Sequence, residues 1–305
     1  MYQYPKHILS IEQQMQSYTD AGMEMTSKQE VEEALRKIGY YRLRGYSFQL
    51  YDNSAKKYLP GTKFNNILQI YEFDQDLSEI IFSMISKIEV ALRTRLVEAM
   101  LIHGDALILQ DSSIFKDKKM YWQNMSAIAA EIARSNDIFI KHNFERHEGE
   151  IPVWAVVEVL SFGTLSKIIK NLKTGQESTY AVLADNYKYI SPKGNTVNPS
   201  QKLFASWVQA VAVLRNICAH NSRIYNRTIH TTPEILDNDK IMPSPVHNGL
   251  YQTLLAMKYL RPSDEEWGMF SDKLVRLCTD KIDVIDLTAM NFPKDWKAHL
   301  CIEIS

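Results

Sequence analysis

Between residues 64 and 103 the chain runs for forty positions without a proline or a glycine. Apolar side chains recur through it at helical spacing: Ile67, Ile70, Leu77, Ile81, Ile85, Ile88, Leu92 and Leu96. Strands are far shorter than this and alternate with period two, so the stretch dictates a helix. One helix of that length is about 60 Å long, and a kink or break at residues 74–76 is the expected way to fit it into a domain. Only eleven glycines and ten prolines interrupt 305 residues, which again favours long helices over a turn-rich β fold. No convincing alternating pattern, internal repeat or low-complexity tract is present. The expected class is all-α.

The remaining periodic segments fill in that plan. Ser27-Lys28-Gln29-Glu30 reads as a capping box opening a helix through Val31, Leu35 and Ile38, with Gly39 ending or bending it. A helix is expected over residues 121–144. Another starts with Pro152 in its first turn, carries Trp154, Val157, Glu158 and Leu160, and is interrupted by Gly163. Residues 191–200 read as a loop leading into a helix over 201–223. Pro233, Pro243 and Pro245 mark an irregular stretch over 226–245, followed by helices at about 248–260 and 263–282. The expected organisation is a helical domain over residues 1–245, with N-terminal helices in 1–60 and a core over about 64–230. A C-terminal helical extension, 246–305, follows it.

Composition excludes several function classes. The formal net charge is −1, so no overall basicity announces a nucleic-acid partner, and any such surface must be local. The opening Met1-Tyr2-Gln3-Tyr4-Pro5-Lys6-His7 is not a charged-then-apolar leader, and no stretch approaches ~18 uncharged apolar residues. Cys218, Cys278 and Cys301 are odd in number and lack paired spacing, as expected of reduced thiols in a cytoplasmic protein. His142 and His147, five apart, do not share a helix face and read as surface histidines. No metal and no cofactor are expected.

The stretch with the most chemistry is Leu214-Arg215-Asn216-Ile217-Cys218-Ala219-His220-Asn221. On a helical wheel Arg215, Asn216, Ala219, His220, Gln209 and Arg223 fall in a wedge about 140° wide, while Trp207, Val211, Leu214 and Cys218 face the other way. A guanidinium, an imidazole and an amide on one edge are the groups that hold a phosphodiester and move its protons. A solvated helix end, with both cations favoured by the helix dipole, is the competing reading.

Arg215-Asn216-x3-His220 resembles the Arg-polar-x3-His motif of HEPN-domain proteins, a helical superfamily rich in ribonuclease toxins. Four further stretches resemble the Abi-like abortive-infection proteins within it: Ile38-Gly39-Tyr40-Tyr41-Arg42-Leu43-Arg44-Gly45-Tyr46, Tyr71-x-Phe73-Asp74-x2-Leu77, the segment from Ile88 to Thr94, and that from Val153 to Leu165. The resemblance covers about residues 27–230. It implies a HEPN-like helical bundle and a metal-independent endoribonuclease that acts as a toxin against phage infection. Cleavage would leave a 2′,3′-cyclic phosphate, with Arg215 and His220 catalytic and Asn216 orienting them.

The superfamily is also similar to the nuclease modules of RNA-guided, RNA-cutting CRISPR effectors, where two Arg/His motifs face each other. This chain has one good copy, since Arg95 and His103 are too far apart, so a homodimer is expected. RNA is the expected partner, as substrate or as a small regulatory RNA; no DNA and no membrane are expected. Glu158 needs a partner, either Arg215 or a cation in a structural pair elsewhere, and Arg223 is a supporting residue. Glu89 and Arg93 read as a structural pair one turn apart. Arg42, Arg44 and Tyr41 are RNA-contact candidates, although the tyrosines equally suit a helix–helix seam. Non-catalytic RNA binding and a helical protein-interaction module remain the alternatives.

Overall fold

The computed structural model describes residues 7–240 and 249–302. The opening six residues, Pro243, Pro245, Asn248 and the expected boundary at 245 lie outside them. Among the described residues the chain is all-α, with thirteen α-helices. In chain order they are α1 Ile11–Asp20, α2 Lys28–Lys37, α3 Tyr40–Tyr46, α4 Phe64–Leu101, α5 Lys118–Arg134, α6 Ile138–Arg146 and α7 Val153–Val159. They continue with α8 Phe162–Asn171, α9 Thr179–Asp185, α10 Gln201–Ala219, α11 Leu250–Leu260, α12 Asp264–Asp280 and α13 Trp296–Leu300. Two antiparallel pairs of two-residue strands interrupt them: β1 Tyr51–Asp52 with β2 Lys57–Tyr58, and β3 Tyr189–Ile190 with β4 Thr196–Val197. The β3–β4 pair and α9 are elements that the periodicity alone does not announce.

Helix α4 is the axis of the molecule. Its 38 residues, about 57 Å at the usual rise, run without the break expected at 74–76. The reason is local: Asp74 is completely buried and spends its carboxylate on a distant segment rather than on its own backbone. Helices α3, α7, α9, α10, α11 and α12 pack around α4, so Ile67, Phe73, Leu77, Ile81, Ile85, Ile88, Leu92 and Leu96 are all fully buried.

Elsewhere the helix boundaries shift for identifiable reasons. The helix expected over 121–144 is two, α5 and α6. Ser135 and Asp137 bond each other's side chain and backbone between them (2.7 and 3.2 Å) and so compete with the helical ladder. The break after α7 falls at Leu160 and Ser161, ahead of Gly163, because Ser161 caps α8 by accepting from Thr164 N. Glu131 of α5 locks that corner, accepting from Ser161 N, Ser161 Oγ and Thr164 Oγ1 at 2.7–2.9 Å. Pro152 stands one position outside α7 as its N-cap. Gly39, at φ 90°, supplies the left-handed turn that sends α2 directly into α3.

The C-terminal helices share this core. Helix α11 packs on α10 and α4, and α12 lies along α4. Trp207 of α10 stacks on Tyr259 of α11 with ring centroids 5.1 Å apart, and Trp267 Nε1 donates to Leu300 O at 2.8 Å. Cys218 and Cys278 are buried free thiols, pushed by burial up to about 11 and about 12. No helix among the described residues is long and apolar enough to cross a membrane.

Candidate functional site

Helix α10 presents the Arg/His stretch at its C-terminal end. The helix stops at Ala219, four residues earlier than the wheel assumed, with His220 as its cap. Asn221 takes the left-handed conformation (φ 48°); its N–H donates to Cys218 O, and Ser222 N–H donates to Ile217 O, both at 2.9 Å. This double closure is a Schellman motif, and asparagine is one of the few residues besides glycine that accept it readily. Arg223 therefore lies beyond the helix and not on its edge. His220 is exposed, and its ring makes no hydrogen bond or ion pair among the described residues.

Arg215 is held from behind. Its Nε lies 3.6 Å from Glu89 Oε2, an ion pair beyond hydrogen-bond length, and its guanidinium sits 5.9 Å from the Phe82 ring centroid. Glu89 is in turn fixed by Arg93 one turn along α4, at 2.5 Å. The Glu89–Arg93 pair is no loose surface bridge, because their side chains keep only 13% and 11% of their exposure. Arg93 also donates to the carbonyls of Val157, Glu158 and Leu160, satisfying the orphan acceptors at the end of α7. Arg215 itself retains 37% exposure, so a clamped carboxylate orients a guanidinium that solvent still reaches.

Glu158 is not the partner of Arg215. Its side chain points outward at the exposed edge of α7, and only its backbone carbonyl joins the cluster. The pattern misled because Glu158 follows three buried residues, Ala155, Val156 and Val157, while itself standing on the open side of a seven-residue helix. Glu89, the carboxylate that does meet Arg215, was legible only as the neighbour of Arg93. Asn216 faces a different place, a groove of about 480 Å³ between α5, α8 and α10, with Gln209, Lys167 and Lys170. The structure thus separates Asn216 from Arg215 and leaves His220 outside both.

A second cluster forms where α3 meets the segment after α10. Asp74, at the heart of α4, accepts from Tyr46 Oη at 2.7 Å, from Ile224 N at 3.0 Å and from Tyr225 N at 2.6 Å. Burial raises its pKa above the ordinary carboxylate value, although the Tyr225, Tyr46 and Ile224 bonds and the charge of Arg223 oppose the shift. Arg223 donates to Gly45 O beneath the rings of Tyr46 and Phe48, and burial lowers its pKa. Arg42 Nη1 donates to Asn221 O at 2.8 Å, gripping the residue next to His220.

Around these contacts opens a cavity of about 1130 Å³, lined by Arg42, Arg44, Tyr41, Arg223 and Arg227 among others. The three RNA-contact candidates thus gather in one cleft with Arg223, while Arg215 and His220 do not line it. His142 and His147, read as apart, come within 5.3 Å between ring centroids, since α6 ends at Arg146 and the chain turns back. No third ligand completes a metal-binding group with them among the described residues.

The stretches that carried the family resemblance meet in these two clusters. Ile88 to Thr94 touches Val153 to Leu165 through Arg93, and Asp74 joins Tyr46 to the segment after Arg215. The model of the Abi-like protein family matches residues 33–226, well over half of the chain and all of both clusters. The chain belongs to the Abi-like family. Nothing among curated proteins or solved structures matches it. In this Abi-like protein the matched region ends at Asn226, one residue past the backbone that Asp74 holds.

Proposed function

We propose that this Abi-like protein is a metal-independent endoribonuclease of abortive infection, a toxin against phage-infected cells whose catalytic centre is completed between two copies of the chain. One observation carries the reading. Arg215 and His220 both reach solvent at the end of one helix, yet they project about 140° apart around its axis, and neither lines the 1130 Å³ or the 480 Å³ cavity. A pair spread this widely suits a phosphate held between two copies. Two copies related by a twofold axis supply the missing half, Arg215 from one and His220 from the other.

The chemistry follows from the two groups. His220 removes the proton of an RNA 2′-hydroxyl, whose oxygen forms a bond to the adjacent phosphorus as the 5′-oxygen–phosphorus bond breaks. The imidazole returns the proton to the departing 5′-oxygen. Arg215, preset by Glu89, pairs with the nonbridging oxygens and offsets the charge that builds on them. The Arg-x4-His spacing, which resembles that of HEPN nucleases, and membership of the Abi-like family support this reading.

The test is cleavage of single-stranded RNA by the purified protein in EDTA. The expected products end in a 2′,3′-cyclic phosphate, and a 2′-deoxy substitution at the cut nucleotide prevents cleavage there. Products ending in a 3′-hydroxyl, or activity that appears only with added metal, contradict the mechanism.

A further inference from the structure

The arginine-lined cleft beside α3 takes no part in the cleavage chemistry, and its composition points to a ligand of its own. Four guanidiniums face it, from Arg42 and Arg44 on α3 and from Arg223 and Arg227 on the segment that follows α10. No aspartate or glutamate lines it among the described residues, although acidic residues outnumber basic ones in the whole chain. Its volume of about 1130 Å³ slightly exceeds the upper end of ordinary small-ligand pockets, ~300–1,000 Å³.

Two aromatic rings among its lining side chains stand uncovered: Tyr41 is 92% exposed and Phe48 56%. Aromatic rings left this open in the folded chain are suited to stacking, and bases are the ligands that bring a flat face together with a phosphate.

We infer that this cleft is a nucleotide-binding site, with phosphate held by the arginines and a base stacked on Tyr41 or Phe48. The guanidiniums are set for it unequally. Arg223 is committed to Gly45 O, and Arg42 to Asn221 O. Arg44 makes no side-chain hydrogen bond among the described residues, and Arg227 makes one long contact, to Arg223 O at 3.4 Å. Arg44 and Arg227 are therefore the charges free to take a phosphate. Arg42 is the link to the other site, since a phosphate competing for it loosens the carbonyl of the residue adjoining His220. The nucleotide is either a free mononucleotide or one unit of an RNA strand; the chemistry is shared.

The experiment measures binding and reads no cleavage, so it stands whether or not Arg215 and His220 cut RNA. Fluorescence anisotropy is recorded with labelled AMP and with a labelled 2′-O-methyl oligonucleotide, which resists attack by its own 2′-oxygen. The Arg215→Ala/His220→Ala protein serves as the background, so that phosphate held by Arg215 does not enter, and it is compared with the same protein carrying Arg44→Ala/Arg227→Ala or Tyr41→Ala. Saturable binding of either probe is expected, AMP binding marking a free nucleotide and oligonucleotide binding alone marking a strand.

The double arginine variant should weaken binding at least about tenfold and flatten its salt dependence, as expected when phosphate contacts are lost. Tyr41→Ala should weaken it severalfold, with thermal melts of all variants confirming folded protein. Binding of neither probe, or binding that the Arg44/Arg227 variant leaves unchanged, overturns the assignment.

Discussion

Alanine at His220 should lower RNA cleavage by about a hundred- to ten-thousand-fold, the usual worth of a positioned acid–base group, while the protein keeps its stability. The two halves of that expectation rest on one observation. The ring is exposed and touches nothing by hydrogen bond or ion pair among the described residues. Its structural contribution is thus limited to its place at a helix C-terminus, worth less than about 1 kcal/mol. Arg215→Ala should cost about a hundred- to a thousandfold in rate, with some loss of stability, because Glu89 then keeps Arg93 as its one cationic partner among the described residues. Chemical denaturation beside the RNA assay separates the two variants. A His220→Ala protein that melts normally and cuts RNA normally removes the proposed acid–base role.

Asp74→Ala should be the most damaging single substitution for the fold. Its carboxylate receives two backbone N–H groups and a tyrosine hydroxyl where none of them meets water. Each buried donor left without an acceptor costs ~1–3 kcal/mol, so the loss is about 4 kcal/mol, out of a total stability of ~5–15 kcal/mol. It falls on the segment that carries Arg223 and follows His220.

Asp74→Asn should be far milder, about 1 kcal/mol. The amide oxygen still accepts both N–H groups, and the Tyr46 hydroxyl reverses to accept from the amide nitrogen. The pair also yields a pH signature. Because the folded pKa of Asp74 is raised, the native protein keeps a proton that the unfolded chain has released, between the ordinary carboxylate value and the folded one. Stability from this group is therefore greatest below that window, declines as pH rises through it, and is flat above it. Urea unfolding across the acid range should show that decline in wild type and a shallower one in Asp74→Asn. An unchanged pH profile contradicts the buried-carboxylate account.

What could be read from the sequence divides along physical lines. The α4 rod, the amphipathic α10 and the all-α class follow from a periodicity that only a helix satisfies, and each buries the side chains that the period selects. Helix ends were less legible, because they are decided by capping. Ser161 outranks Gly163, and Asn221 stops α10 before Arg223, through hydrogen bonds that a hydrophobic period does not contain. The site was half legible. Arg42, Arg44, Tyr41 and Arg223 do share a cleft. The partner of Arg215 was misplaced because a long-range ion pair leaves no spacing rule: Glu89 and Arg215 are joined by α4 lying against α10. Asp74 appeared in a family-like stretch, yet its role depends on backbone groups 150 residues away.

The most direct measurement mixes two inactive proteins. His220→Ala and Arg215→Ala are purified separately, shown to be folded, combined in equal amounts and allowed to exchange before RNA is added. If each centre takes Arg215 from one copy and His220 from the other, half of the reassorted dimers regain one intact centre, and about a quarter of wild-type activity returns. A mixture that stays as inactive as its components, beside a wild-type protein that cuts, contradicts a centre shared between copies.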